Sequence, residues 1–209
     1  MKNLSTNYLK TGTIAAILVG ILLISTSLFI GKIPVFLFFN ADLGQFTDLF
    51  FEYFTYMGDG LIWIPITLFF IWKKRQHLVL LLSTISISTL IAQGIKNFVF
   101  TAEPRPTTLI TDRSLIHTVS GVELHGFYSF PSGHTTAACC IFLLATLFFP
   151  KKWIVPIGLL YALLVGYSRV YLAQHFPLDV GGGFLVGSLS VWLSVYIQKL
   201  YEQSLKQLD

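Results

Sequence analysis

Six apolar stretches, at about 12–30, 56–72, 78–99, 132–149, 153–171 and 178–198, leave this chain few ways to fold. A segment of about 20 apolar residues spans the hydrocarbon core of a bilayer as a helix. In lipid the backbone must satisfy its own hydrogen bonds, which leaves helices or a closed barrel. The stretches are continuous rather than alternating, which argues against a barrel. Composition agrees: the 209 residues are 54% hydrophobic and 11% charged, whereas a soluble domain carries about 25% charged residues. The expected architecture is all-α, a polytopic membrane protein of six transmembrane helices in a single domain over residues 1–209.

Residues 31–59 read differently. Leu43, Phe46, Leu49, Phe50 and Phe54 recur at helical spacing with Asp48 and Glu52 among them. That pattern predicts an amphipathic helix between spans 1 and 2, lying in the interface or packed on neighbouring spans. The first apolar run follows Lys2 and Lys10 and has no small-residue cleavage site after it, so it reads as an uncleaved span rather than a signal peptide. Cys139 and Cys140, adjacent inside an apolar stretch, suit no ordinary disulfide with each other and no metal spacing; they read as packing residues.

Lysine and arginine placement orients the chain. With the N-terminus inside, Lys2, Lys10, Lys73, Lys74, Arg75, Lys151, Lys152, Lys199 and Lys206 fall on the cytoplasmic side, and so do both termini. Outside remain Lys32, Arg113, Lys96, Arg105 and Arg169, with most of the acidic residues. No run of like charges suggests nucleic acid as a partner. Lys96, Arg105 and Arg169 break the sorting rule, and all three belong to the cluster of segments 96–106, 131–134 and 168–179 at the outer rim. Titratable groups at a membrane boundary are costly, so a cluster of them suggests a working site on the periplasmic or extracellular face.

The chemistry of that cluster is specific. It comprises Lys96 with Arg105-Pro106, then Pro131-Ser132-Gly133-His134, then Ser168-Arg169 with His175 and Asp179. Arg105 and Arg169 offer planar forks for phosphate oxygens, and Lys96 a third cation. Ser132 and Gly133 open a helix, whose free N–H groups and dipole favour an anion. Three cations and a helix start can balance phosphate charge without a metal ion. The two histidines divide the proton work. His175 has Asp179 four residues on, and a carboxylate on one ring nitrogen frees the other for attack on phosphorus. His134 has no carboxylate near it in sequence and is assigned as the acid for the leaving group. The expected intermediate is a phosphohistidine at His175.

These residues resemble the signature of the type 2 phosphatidic acid phosphatase superfamily, the membrane lipid phosphate phosphatases, over about 96–179. The second and third motifs are complete. In the first, eight residues separate Lys96 from Arg105 where the family has six. The resemblance implies His175 as nucleophile, Asp179 as its orienting carboxylate and His134 as the acid. It also implies Lys96, Arg105, Ser132, Gly133 and Arg169 as phosphate ligands, with neither metal nor other cofactor. It further implies a membrane lipid phosphate or diphosphate as partner: phosphatidic acid, phosphatidylglycerol phosphate, undecaprenyl diphosphate or a lipid A phosphate. Two other functions compete. A serine protease built on Ser132 leaves both arginines without a task, and a non-catalytic lipid-phosphate transporter or binding protein has no need of two histidines. The sequence leaves the headgroup and the oligomeric state open.

Overall fold

The computed structural model describes residues 6–207, so Lys2 of the inner-side cations lies outside the described residues. The described residues form helices and turns without strands: α1 (Thr6–Ile30), α2 (Lys32–Phe39), α3 (Gln45–Phe54), α4 (Trp63–Lys73), α5 (Leu78–Gly94), α6 (Pro106–Leu109), α7 (Gly133–Phe148), α8 (Ile154–Tyr171) and α9 (Pro177–Leu205).

The bundle is built around α9, which packs on α1, α5, α7 and α8. Its sequence explains the close fit. A Cβ at Gly181 would lie 2.7 Å from the carbonyl of Gly20 on α1, and one at Gly183 would lie 2.8 Å from that of Ser132. Small residues let helix backbones approach this closely, a packing mode that suits helices with no water to expel. Two α9 hydroxyls are satisfied along the helix itself: Ser190 donates to the Val186 carbonyl and Ser194 to that of Ser190. Cys139 and Cys140 are buried against α9, their thiols directed at the carbonyls of Phe184 and Gly187.

Helix lengths depart from the six-span expectation. The units Thr6–Ile30, Arg75–Val99, Ile154–Tyr171 and Pro177–Leu205 are long and apolar enough to cross a membrane. The second expected span is half of a bent pair, Gln45–Gly58 and Gly60–Lys73, which meet at 56°. The break falls at Asp59, whose Oδ1 accepts the Leu61 N–H at 2.9 Å and starts the helix afresh. The fourth expected span, α7, has only 16 residues, about 24 Å at 1.5 Å per residue. Pro131 and Pro150 bound it. Eleven of its residues are buried, so α7 faces protein more than lipid. Four helices therefore meet the length and composition of a span, or five if the bent pair counts as one.

The segment with the amphipathic pattern is helical, as α3. It attaches by its polar position: Asp48 accepts the Tyr171 hydroxyl at 2.5 Å and pairs with His117 Nε2 at 2.9 Å. Phe51 packs on Tyr167 and Tyr171, while Phe46, Leu49 and Phe50 point outward. The loop between α5 and α7 is drawn over the helix ends. Asn40 does much of this, donating to the carbonyls of His117, Val170 and Tyr171 and accepting the His117 N–H. Lys32 pairs with Glu103, and the Ser129 N–H donates to the Glu103 carbonyl.

Candidate active site

The turn between α8 and α9 sets the centre of the site. Ala173 adopts φ 54°, and the N–H groups of Gln174 and His175 both donate to the Arg169 carbonyl, at 2.9 and 3.1 Å. Arg169 and His175 are thereby locked to one another. Pro177, with its fixed φ and missing N–H, opens α9. Asp179 follows in the first turn, and its Oδ2 accepts the Phe176 N–H at 2.9 Å and the Ser129 hydroxyl. The same oxygen lies 3.3 Å from His175 Nδ1. His175 thus precedes the helix rather than standing on it, yet the pairing expected from the spacing is present.

His175 is 2% exposed. Burial, then the charges of Arg105, Lys96 and Arg169, hold its pKa well below the ordinary histidine value. The ring is neutral at physiological pH. With Nδ1 directed at Asp179, the proton belongs there and Nε2 carries the free lone pair.

Each cation is fixed by the fold. Arg105 is buried in the loop, its Nε donating to the Phe127 carbonyl and its Nη1 to the carbonyl and side-chain oxygen of Gln174. Burial pulls its pKa down, and Asp179 partly restores it. Lys96 sits on a π-helical turn, Ile95–Val99, that extends α5, and Nζ reaches the Tyr128 carbonyl at 3.0 Å. The two extra residues before Arg105 do not carry Lys96 away: it lies within electrostatic reach of Arg105, Asp179 and Arg169. Arg169 Nη1 donates to the Thr55 hydroxyl at 2.8 Å. Its Nε is buried and has no hydrogen-bond partner among the described residues. A buried donor without a protein acceptor is costly, and a bound water or anion oxygen can satisfy it.

The third motif member is the start of α7. Ser132 is the N-cap; its Oγ accepts the Thr135 hydroxyl at 2.9 Å, and its N–H donates to the Asp179 carbonyl at 2.9 Å. That last bond couples α7 to the His175–Asp179 turn. Nothing lies within 4 Å of where a Gly133 Cβ would stand, so the backbone there is open to a ligand. His134, on the first turn, borders a cavity of about 230 Å³ lined also by Gly58, Trp63, Ser88 and Gln93. All eight residues expected from the sequence are therefore gathered at one end of the bundle.

Four further groups were not expected. Ser129 and Gln174 support Asp179 and Arg105, Thr55 touches Arg169, and Asp59 Oδ2 lies 3.6 Å from His134 Nε2. Ser129 is two residues from the Pro131 motif and Gln174 precedes His175, so proximity to the motifs was a usable signal. Thr55 and Asp59 come from the broken span, remote in sequence from their partners.

Taken as chemistry, the site holds three cations, an unfilled arginine N–H, an open helix start and a neutral histidine with a free ring nitrogen. It can bind a multiply charged oxyanion and attack it. Comparison with known proteins gives the family. The sequence model of the PAP2 superfamily matches residues 77–202. An undecaprenyl-diphosphatase of Sulfolobus acidocaldarius is 34% identical over 158 residues, spanning 71% of this chain and 72% of that protein. A lipid A 4'-phosphatase of Bacteroides thetaiotaomicron is 28% identical, spanning 77% of this chain and 74% of its own. The crystal structure of Aquifex aeolicus LpxE superposes with TM-score 0.68 at 31% identity, covering 78% of this chain and 93% of that one. A PAP2 type phosphatidylglycerolphosphate phosphatase from Bacillus subtilis shares the fold at TM-score 0.66 and 24% identity, covering 90% and 96%. With more than half its length matched by the family model and its signature residues gathered in one site, the chain belongs to the PAP2 superfamily of phosphatases.

Proposed function

We propose that this protein hydrolyses the phosphate of a membrane lipid phosphate or diphosphate through a phosphohistidine at His175. The observation that carries the reading is the His175–Asp179 pair at 3.3 Å, set among Lys96, Arg105 and Arg169. His175 Nε2 attacks phosphorus. Lys96, the two arginines and the N–H groups at Ser132 and Gly133 hold the phosphoryl oxygens, in place of a metal ion. His134 gives its proton to the departing oxygen, and water then cleaves the phosphohistidine. The whole chain acts as one domain.

The reading also assigns sides. Asp59, Gly133 and Asp179 at helix starts and Lys96 and Arg169 at helix ends share one end of the up-and-down bundle, and Lys73, Lys74, Arg75, Lys151 and Lys152 share the other. Positive clusters favour the cytoplasmic face, which supports a site on the periplasmic or extracellular face of the cell membrane with both termini inside. Six passes result if the short α7 and the bent α3–α4 pair each complete one, with the aromatic face of α3 lying in the lipid interface. Phosphatidic acid, phosphatidylglycerol phosphate, undecaprenyl diphosphate and lipid A phosphates all suit such a site, and two relatives carry the last two in their names.

The test is release of inorganic phosphate from that lipid panel by purified protein in detergent with chelator present. Turnover of at least one lipid, abolished by His175→Ala, is the expected result. No release from any lipid, or release only with added metal, overturns the reading.

A further inference from the structure

The turn between α3 and α4 carries two groups into the site that lie outside the residues matched by the family model. Thr55 takes Arg169 Nη1 at 2.8 Å, and Asp59 Oδ2 stands 3.6 Å from His134 Nε2. The Asp59 carboxylate is divided between two tasks. Oδ1 accepts the Leu61 N–H at 2.9 Å, which fixes the side chain and turns Oδ2 toward His134. The turn itself is clamped on α7: a Cβ at Gly58 would lie 2.8 Å from the His134 carbonyl. The gap of 3.6 Å is an ion-pair distance rather than a hydrogen bond. Catalytic contacts commonly stand this loose before substrate closes the site.

We propose that Asp59 is a positioning residue for His134, holding the protonated imidazole with its proton directed at the leaving-group oxygen. The inference rests on the phosphatase reading above. The charges facing His134 are Arg169 from α8, Arg105 from the loop, and Lys96 from the end of α5. A cationic imidazole among three cations needs a carboxylate beside it. Asp179 is engaged by His175, Ser129 and Phe176, which leaves Asp59. In the first step the bond from His175 Nε2 to phosphorus forms as the bond from phosphorus to the leaving oxygen breaks. That oxygen takes the proton from His134, which becomes neutral. In the second step water gives a proton back to His134 while its oxygen bonds to phosphorus and displaces His175. Asp59 stays ionised throughout.

Asp59→Asn removes the charge while its amide oxygen can still accept the Leu61 N–H. The variant and wild type are assayed on two probes. Dioctanoyl phosphatidic acid has an alkoxide leaving group that must be protonated, whereas p-nitrophenyl phosphate has one that leaves without a proton. General acid catalysis contributes about 100-fold or more, so kcat/KM, which reports the phosphoryl-transfer step alone, should fall at least about tenfold further on the alkyl probe than on the aryl probe. Both rates come from one preparation, so any loss of folded protein cancels from the ratio. In a His134→Ala background the added Asp59→Asn change should cost the alkyl probe nothing more, since the residue acts through His134. Equal losses on the two probes, or a further alkyl loss in the His134→Ala background, overturn the inference. A wild type inactive on both probes and on every lipid of the panel above would instead refute the phosphatase reading on which it rests.

Discussion

The carboxylate of Asp179 stands 3.3 Å from His175 Nδ1 and is held there by two donors, the Phe176 N–H and the Ser129 hydroxyl. Those donors come from either side of the histidine: Phe176 from the turn into α9, Ser129 from the loop before α7. The pair is therefore a junction between two motifs and not a local feature of one helix. Anything that frees the carboxylate from either donor should loosen the orientation of the ring.

Asp179→Asn tests this directly. The amide keeps the size of the carboxylate but puts a donor or a weaker acceptor against His175 Nδ1, favouring the wrong tautomer. We expect kcat to fall about 100-fold or more. Melting temperature should shift far less than for a core deletion. Ser129→Ala should give a smaller loss, since Phe176 still anchors the oxygen. Steady-state rates for the two variants on one lipid phosphate, beside thermal melts, check the order; a Ser129→Ala loss exceeding that of Asp179→Asn would contradict it.

The ionisation of His175 predicts a pH dependence of stability. Burial and the three nearby cations hold its pKa well below the ordinary value in the folded protein, whereas the unfolded chain titrates near 6.5. Below about pH 6.5 the unfolded state binds a proton that the folded state refuses, so acidification favours unfolding. The stabilisation is complete above that pH and is lost progressively as pH falls toward the depressed value. Thermal melts of the detergent-solubilised protein should drop between pH 6.5 and 5, an interval chosen from these ordinary values. They should drop less in His175→Gln, and equal drops would show that other groups control the acid limb.

Much of the site was legible because its chemistry is concentrated in short motifs. Ser132, Gly133 and His134 are consecutive, and Arg169, His175 and Asp179 share one turn region, so spacing alone predicted their meeting. Lys96 stands two residues out of register with the family motif, and the π-helical turn with the loop after it absorbs the excess. Asp59 and Thr55 were not legible. They lie where the amphipathic stretch 31–59 meets the apolar span 56–72, and the break at Asp59 depends on a cap and on packing against α7, neither of which has a periodic signature. The same break is why the second expected span is half of a bent pair rather than one straight helix. Hydropathy reports that residues 56–72 are apolar, not that the chain bends 56° to bring a carboxylate to His134.

Close packing between α7 and α9 gives a third prediction. A Cβ at Gly183 would meet the Ser132 carbonyl at 2.8 Å and the Thr136 nitrogen at 3.1 Å, and backbone atoms there cannot step aside as a flexible side chain would. Gly183→Val should push the start of α7 away from α9 and strain the Ser132–Asp179 backbone bond. Overpacking of this kind costs about 1–3 kcal/mol, and activity should fall by more than the loss of folded protein explains. Melting temperature and rate per folded molecule, measured together, separate the two effects. A variant with wild-type activity and stability would mean that the helices have slack at this contact.

Arg169 carries the last prediction. Its Nη1 is committed to Thr55, while its Nε is buried without a partner among the described residues. A tetrahedral oxyanion such as orthovanadate can supply the missing acceptor, alongside Lys96 and Arg105. Binding to the folded state alone raises stability by about 2.7 kcal/mol at 100 times the dissociation constant. Vanadate should therefore raise the melting temperature of the wild type and inhibit it competitively with lipid. Arg169→Lys keeps the charge but removes the planar fork, so the oxyanion loses the Nε contact and its orientation. The vanadate-induced shift should shrink, and inhibition should weaken at least about tenfold. Thr55→Val should act differently, because it removes only the support of Nη1. That variant should bind vanadate moderately less well and keep most of the shift. A full shift in Arg169→Lys would mean that the buried Nε is not the group that awaits the phosphate.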